Sequence, residues 1–330
     1  MTDATLKVEG LRTHFFTKQG VVKAVDGVSF EIGTGKILGL VGESGSGKSM
    51  LGFSIMGLVD PPGRIVDGRI LLNGRDLRAL SPGEWQAIRG DRIAMVFQDP
   101  MMTLNPVLRI DTQIIEALQA HQQLSTGEAR VRAREVLTRV GISSPDERLH
   151  AYPHQFSGGM RQRVAIAIAM LNKPDLIIAD EPTTALDVTI QGQILAEVQQ
   201  LCRESGTALL WITHDLAVIA GLADEVCVMY AGKVVERGTV DEVLDAPRHP
   251  YTRGLLDSVP SRNPHGAPLR QIPGMTPSLT NLPQGCAFRE RCSRATETCL
   301  SEPPLYKLED RYVRCFHPIH AQDEPQGSPA

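Results

Sequence analysis

Residues 42–49 read Gly42-Glu43-Ser44-Gly45-Ser46-Gly47-Lys48-Ser49, between an apolar run at Ile37–Val41 and a helical pattern at residues 50–58. The apolar run predicts a buried strand, so the glycine-rich segment connects a strand to a helix. Glycines let the backbone curl until several N–H groups and the positive end of the helix point at one anion. A flexible Gly/Ser linker would not lie between a strand and a helix. The segment therefore predicts a phosphate-binding loop.

The last two residues of this loop have separate predicted tasks. Lys48 is placed to reach the β- and γ-phosphates of ATP, which also makes it a candidate catalytic residue, and the Ser49 hydroxyl is placed to bind Mg²⁺. The candidate phosphate-binding residues are Gly42, Ser44, Gly45, Ser46, Gly47, Lys48 and Ser49.

Two carboxylates follow a second apolar run, at residues 176–179, as Asp180-Glu181-Pro182. Parallel strands of a buried sheet end at a common edge, so we expect these carboxylates beside the phosphate-binding loop. Asp180 would hold Mg²⁺, and Glu181 would polarise the water that attacks the γ-phosphate. Taken alone, two acids at a strand end are also typical of residues that cap a helix.

A third strand pattern, Ala208–Thr213, is followed directly by His214. If this strand lies in register with the other two, the imidazole of His214 reaches the same edge, where it would stabilise the charge of the transferred phosphoryl group. A lone histidine is more often structural, so the catalytic role depends on the surrounding motifs.

A second glycine-rich segment, Phe156-Ser157-Gly158-Gly159-Met160, precedes an apolar helical pattern at residues 164–171. It resembles the signature motif of ABC proteins, usually written LSGGQ, with Phe in place of Leu and Met in place of Gln. A hydroxyl, two glycines and a helix N-terminus form a second anion-binding cradle. A plain N-cap would explain Ser157 but not the paired glycines. Because the first loop already binds a triphosphate, we expect Ser157, Gly158 and Gly159 to contact ATP bound to another subunit, in a head-to-tail dimer.

The resemblance to ABC proteins extends to further positions in the family's order. It implies that Gln98 is the Q-loop glutamine, which takes part in catalysis and bridges Mg²⁺ to the surface facing a membrane partner. It implies that residues 185–187 cross the dimer interface. It also implies that Phe15 stacks on adenine, although Phe16 is a rival and both residues are explained equally simply as core residues.

The resemblance implies an α/β fold, namely an ABC-type P-loop nucleotide-binding domain with a RecA-like core, a β subdomain and a helical subdomain. Helical patterns at residues 113–122 and 126–140 place the helical subdomain at about 99–170. Of the 22 prolines, 13 lie at or after Pro247, which marks a change of architecture. We therefore expect the nucleotide-binding domain at 1–245 and a small Cys/Pro-rich C-terminal extension at 246–330.

The start of the extension resembles ATPase subunits of dipeptide and oligopeptide importers, above all the dipeptide type, in the segment Arg248-His249-Pro250-Tyr251-Thr252-Arg253-Gly254-Leu255-Leu256. The resemblance implies a motor that couples ATP binding and hydrolysis to peptide uptake. Its implied partners are a second ATPase subunit, normally a paralogue, two transmembrane permease subunits and, indirectly, a periplasmic or extracellular peptide-binding protein. Importers of glutathione, nickel or opines are alternatives within the family. A soluble ABC ATPase acting in translation or DNA repair is the alternative from another class.

Four of the six cysteines lie in the extension, with the spacing C-x₅-C-x₆-C-x₁₅-C. This differs from C-x₂-C zinc ribbons and from the bacterial ferredoxin pattern, so the spacing leaves an iron–sulfur cluster, zinc and free thiols open. A cytosolic location argues against structural disulfides. The resemblance to peptide importers implies a 4Fe-4S iron–sulfur cluster bound by Cys286, Cys292, Cys299 and Cys315.

Charge and hydropathy limit the kinds of partner and the location that we expect for the chain. The formal net charge is −4, from 38 acidic and 34 basic residues, so we expect no nucleic-acid partner. The longest apolar run, residues 164–171, is far shorter than the ~20 residues that span a bilayer. The N-terminus has no secretory signal pattern. We expect a peripheral location at the cytoplasmic face of the inner (cell) membrane, through contact with the permease.

Overall fold

The computed structural model describes residues 4–183, 188–260, 263, 268 and 270–320. Its strands are β1 Ala4–Thr17, β2 Gly20–Gly33, β3 Ile37–Val41, β4 Gly63–Leu72, β5 Arg75–Asp76, β6 Ile93–Val96, β7 Leu176–Asp180, β8 Ala208–Thr213, β9 Glu225–Tyr230, β10 Lys233–Thr239, β11 Tyr306–Leu308 and β12 Arg311–Val313. Its α-helices are α1 Lys48–Ile55, α2 Pro82–Ile88, α3 Pro100–Thr103, α4 Ile110–Gln119, α5 Thr126–Arg139, α6 Pro145–Leu149, α7 Gly158–Met170, α8 Val188–Ser205, α9 Leu216–Leu222, α10 Val240–Asp245 and α11 Pro250–Asp257.

A large sheet carries the three strands that the apolar runs predicted. Within the described residues its order is β11-β12-β10-β9-β3-β8-β7-β6, and β9, β3, β8, β7 and β6 run parallel. β3 lies between β9 and β8, with Leu38 opposite Leu210, and β7 lies between β8 and β6. The carboxyl ends of β3, β8, β7 and β6 therefore meet at one edge, where the segments that follow them come together.

Both faces of this parallel sheet are buried. Leu38 and Leu40 of β3 pack on the side of a smaller antiparallel sheet, of order β2-β1-β4-β5, whereas Ile37 and Val41 pack on the side of the helices. Because side chains alternate along a strand, a continuous apolar run such as β3 fits a strand that is covered on both faces. The sheet edge is thus held rigidly by two apolar layers.

Helices α3 to α7 lie in the chain between β6 and β7. α4 begins at Ile110, before the expected residue 113, and α5 matches the expected start at residue 126. α5 begins where it does because Ser125 and Glu128 form a capping box. α7 begins at Gly158, so the signature segment lies at the N-terminus of a helix.

The C-terminal extension packs against the main sheet. β12 pairs with β10 and β11 pairs with β12, both antiparallel, so residues beyond 245 add strands to the sheet that carries the phosphate-binding loop. Phe288 contacts Tyr251, which contacts Tyr230 of β9, with ring centroids 5.4 and 4.6 Å apart. Contacts therefore cross the predicted boundary near residue 246. Across the ranges described above, no helix is long and apolar enough to cross a membrane.

Candidate functional site

The phosphate-binding loop connects β3 to α1 and closes around a lysine. Lys48 Nζ donates hydrogen bonds to the carbonyl oxygens of Gly42, at 2.8 Å, and Glu43, at 3.0 Å. The side chain is buried, and burial lowers the pKa of Lys48, while the nearby carboxylates of Glu181 and Asp180 oppose that shift. A desolvated ammonium held by neutral carbonyls would gain strongly from an anionic phosphate oxygen, so the loop fits a bound phosphate.

Two glycines of the loop are required by their surroundings. A Cβ at Gly42 would lie 2.2 Å from the carbonyl oxygen of Met229, and a Cβ at Gly47 would lie 2.1 Å from that of Ala24. Both glycines also have positive φ, +154° and +101°. The sequence therefore needs glycine at these positions for the loop to pass between β9 and β2.

A hydroxyl and a carboxylate meet beside the loop. Ser49 Oγ donates to Asp180 Oδ1 at 3.0 Å. Burial raises the pKa of Asp180, and the Ser49 hydroxyl partly offsets this increase. One carboxylate, one hydroxyl and phosphate oxygens are the ligands that Mg²⁺ prefers in nucleotide sites. The residues present thus fit Mg²⁺, which would also compensate the buried charge of Asp180.

The three expected catalytic side chains outside the loop converge on one oxygen. Glu181 Oε2 lies 3.2 Å from Gln98 Nε2 and 3.3 Å from His214 Nδ1. The three residues follow the adjacent strands β6, β7 and β8, which is why they meet. Glu181 has a φ of +44°, and its N–H donates to the carbonyl oxygen of Ile212 at 2.9 Å. Such a left-handed conformation is strained for glutamate, and strain of this kind clusters at functional sites.

The signature segment lies apart from these residues. Ser157 Oγ accepts a hydrogen bond from the N–H of Met160 at 3.3 Å and so caps α7, as the N-cap explanation predicted. Ser157 and Gly158 are exposed, and a Cβ at Gly158 would meet no atom within 4 Å. Among the hydrogen bonds of the described residues, none joins this segment to residues 42–49.

The adenine-stacking candidates differ in their surroundings. Phe15 is half-buried against Gly63, where an added Cβ would lie 2.5 Å from the ring. Phe16 is exposed, and the guanidinium of Arg64 lies 4.3 Å from its ring centroid. Residues 185–187, expected at the dimer interface, lie outside the described residues.

Comparison with known families and proteins agrees with this geometry. Residues 25–184 match the family described as ABC transporter, and residues 235–299 match the family described as oligopeptide/dipeptide transporter, C-terminal region. The oligopeptide transport ATP-binding protein AppD of Bacillus subtilis (strain 168) is 49% identical over 314 residues, which cover 94% of this chain and 96% of AppD. The chain belongs to the ABC transporter ATPases.

Two further comparisons support this family. The dipeptide transport ATP-binding protein DppD of Bacillus subtilis (strain 168) is 49% identical over 298 residues, or 90% of this ABC ATPase and 89% of DppD. The ATP-binding cassette MJ0796, in a dimeric post-hydrolysis state bound to ADP and Pi, superposes with a TM-score of 0.65 at 28% identity. The superposed region covers 71% of this chain and 98% of MJ0796. The ABC-type fold and the resemblance to peptide-transporter ATPases are confirmed.

The iron–sulfur prediction is wrong. Cys286, Cys292, Cys299 and Cys315 are free thiols that line one small cavity. Burial raises the pKa of Cys315 to about 12 and raises the pKa of Cys286 and Cys292 above its ordinary value. In the described part of the chain, no group of three or more His, Cys, Asp or Glu side chains is arranged to hold a metal ion. Metal binding by these cysteines, by a 4Fe-4S cluster or by zinc, is therefore not supported.

Sequence reasoning missed one set of contacts to the phosphate-binding loop. Glu43 contacts Arg291, Thr276 and Tyr251, all from the extension of this ABC ATPase. Arg291 belongs to none of the motifs that predict the nucleotide site, so no pattern in the sequence connects it to residues 42–49.

Proposed function

We propose that this ABC transporter ATPase is the motor subunit of an importer for dipeptides or oligopeptides. The observation that carries the proposal is the convergence of Gln98, Glu181 and His214 beside the phosphate-binding loop. This convergence supports ATP hydrolysis, and the match of residues 235–299 to peptide-transporter C-terminal regions supports peptide as the cargo. AppD and DppD of Bacillus subtilis, named for oligopeptide and for dipeptide transport, are each 49% identical to this chain, so the proposal covers both peptide classes.

The roles of the residues follow from their positions. Lys48 would exchange its hydrogen bonds to loop carbonyls for hydrogen bonds to the β- and γ-phosphates. The backbone N–H groups of residues 42–49 would bind the same phosphates. Glu181 would orient and polarise the attacking water, with Gln98 and His214 positioning its carboxylate. Ser49, Asp180 and Gln98 would hold Mg²⁺, which when bound neutralises phosphate charge.

The exposure of Ser157 and Gly158 supports a head-to-tail pair of motor subunits. In this proposal Ser157, Gly158 and Gly159 of one subunit contact the γ-phosphate of ATP bound to residues 42–49 of the other. Closure of the pair would change the conformation of two permease subunits, and loss of the γ-phosphate would reverse it. The dimeric state described for MJ0796 is in line with such a pair. The second subunit would be a paralogue of this chain. The adenine of ATP would stack on Phe15. A separate extracytoplasmic binding protein would deliver the peptide to the permease.

A purification from membranes tests this function. The tagged chain should copurify from the cytoplasmic face of the membrane with permease subunits and a second ATPase. The reconstituted complex should hydrolyse ATP faster when its binding protein is supplied with dipeptides or longer peptides. Stimulation by glutathione, nickel or opines without stimulation by peptides would contradict the proposed cargo. Copurification with ribosomes or DNA and no permease would contradict the importer itself.

A further inference from the structure

The side chain of Glu43, the second residue of the phosphate-binding loop, is bound by the C-terminal extension. Arg291 donates through both terminal nitrogens, Nη1 to Oε2 at 2.6 Å and Nη2 to Oε1 at 2.9 Å. Thr276 Oγ1 donates to Oε2 at 2.6 Å. A guanidinium that uses both nitrogens on one carboxylate fixes its distance and its orientation. The extension therefore controls where this side chain lies.

The backbone of Glu43 transmits that control to the loop. Its N–H donates to the hydroxyl of Tyr251 at 2.8 Å, so a third residue of the extension contacts it. Its carbonyl oxygen accepts hydrogen bonds from Lys48 Nζ at 3.0 Å and from the N–H of Ser46 at 3.2 Å. One residue thus connects Arg291 to the lysine that is expected to bind the phosphates.

Arg291 is itself held in place, so it can position its partner. Its Nε donates to the carbonyl oxygen of Pro273 at 2.9 Å, and Nη1 lies 3.3 Å from the hydroxyl of Tyr230. The residue is only 8% exposed, and its guanidinium lies 5.9 Å from the ring centroid of Phe288. Burial opposes the charge of Glu43, but hydrogen bonds from Arg291 and Thr276 keep the pKa of that carboxyl below its ordinary value. The pair is therefore ionised and held by several hydrogen bonds.

We propose that Arg291 is a positioning residue for nucleotide binding, acting through Glu43 on the phosphate-binding loop. With Glu43 fixed, the backbone of the loop is held in its curled conformation before the nucleotide arrives, so binding does not have to order it, and only Lys48 exchanges its carbonyl contacts for phosphate oxygens. The C-terminal extension then sets the affinity of the chain for ATP. The inference rests on the proposed assignment of residues 42–49 to the phosphates of ATP.

A double-mutant cycle on the full chain tests this role. Glu43→Gln and Arg291→Gln should each raise the Kd for Mg-ATP by about 5- to 30-fold, the range expected when a charge-assisted pair is lost. Turnover at saturating ATP should stay within about two-fold, because the residues around Glu181 are unchanged. The double variant should bind no more weakly than either single variant, since both remove the same connection. Glu43→Gln changes no volume, so it remains informative if Arg291→Gln does not fold.

Two controls separate the possible outcomes. Arg289→Gln alters a neighbouring arginine that contacts Gln284 and Glu290 rather than the loop, and its Kd should equal that of the wild type. Lys48→Met should abolish ATP binding. If this variant still binds ATP, the assignment of residues 42–49 to the phosphates is wrong, and that result is distinct from a failure of the role of Arg291. An unchanged Kd in Glu43→Gln and Arg291→Gln, with only a lower melting temperature, would overturn the inference. Additive effects in the double variant would overturn it as well.

Discussion

Replacing Glu181 by glutamine should remove most ATP hydrolysis and leave ATP binding intact. Glutamine has the same shape and still offers a polar atom to Gln98 and His214, which lie 3.2 and 3.3 Å from Glu181 Oε2. It cannot act as a general base for the attacking water. We therefore expect turnover to fall by about 10²–10⁴-fold, which corresponds to about 3–5 kcal/mol of activation free energy.

The affinity for ATP should not fall, because Lys48 is held by hydrogen bonds to the carbonyl oxygens of Gly42 and Glu43, which the substitution leaves in place. Burial lowers the pKa of Lys48 and the charge of Glu181 opposes that shift, so this carboxylate is close enough to act electrostatically on the loop. A phosphate at the loop would meet the same negative charge. Its removal in Glu181→Gln should leave the Kd for ATP within about three-fold of the wild type or make binding tighter.

Three measurements check this prediction, with turnover measured on the reconstituted transporter complex and ATP binding and stability measured on the purified chain. Phosphate release at saturating Mg-ATP gives turnover, a fluorescent ATP titration gives the Kd, and calorimetry shows whether the fold is retained. Glu204→Gln, an exposed substitution on α8, serves as the matched control and should leave turnover and Kd unchanged. Turnover of Glu181→Gln within ten-fold of the wild type, with a normal melting temperature, would remove Glu181 from the mechanism.

Three further predictions concern the loop, the magnesium site and acid stability. Gly47→Ala should weaken ATP binding by about 10²-fold or more in an equilibrium titration, because its Cβ would lie 2.1 Å from the carbonyl oxygen of Ala24. Gly45 shares the positive φ, at +79°, but a Cβ there meets nothing within 4 Å, so Gly45→Ala should weaken binding less. Burial raises the pKa of Asp180 because it disfavours the charged carboxylate, so Asp180→Asn should raise the melting temperature without nucleotide by about 1–4 °C. The same variant should lower Mg²⁺-dependent turnover by about 10²-fold or more. Burial lowers the pKa of His249 to about 3, from an ordinary value of 6.5, so protonation favours the unfolded state. The free energy of unfolding should fall by up to about 1.4 kcal/mol per pH unit from pH 6.5 towards pH 3 in urea titrations, and His249→Asn, which keeps a capping acceptor, should reduce this slope.

Each of these predictions has a result that contradicts it. Equal ATP affinities for Gly47→Ala and Gly45→Ala would show that the loop tolerates a side chain at residue 47. A lower melting temperature for Asp180→Asn would mean that the carboxylate stabilises the fold without Mg²⁺. An identical pH dependence of unfolding in His249→Asn and the wild type would exclude His249 as a source of acid instability.

Sequence patterns predicted the structure correctly where the residues that determine it are neighbours in the chain. Apolar runs predicted β3 and β8 with their bounds, because a strand covered on both faces needs a continuous run of apolar side chains. Ser125 and Glu128 show why α5 starts at Thr126, since a capping box involves residues only three positions apart. The cysteine spacing could not show whether the four cysteines bind a metal. A metal site depends on the orientation and ionisation of the thiols, and spacing specifies neither.

The sequence by itself determined the phosphate-binding loop, the signature segment and the strands that lead to the catalytic side chains, since each depends on local backbone chemistry. Only the tertiary structure decided that Gln98 and His214 meet at one oxygen of Glu181 and that this residue adopts a positive φ. It also decided that Arg291 contacts Glu43, 248 residues earlier. Contacts between remote segments depend on how sheets and helices pack in three dimensions, and no local pattern of residues encodes that packing.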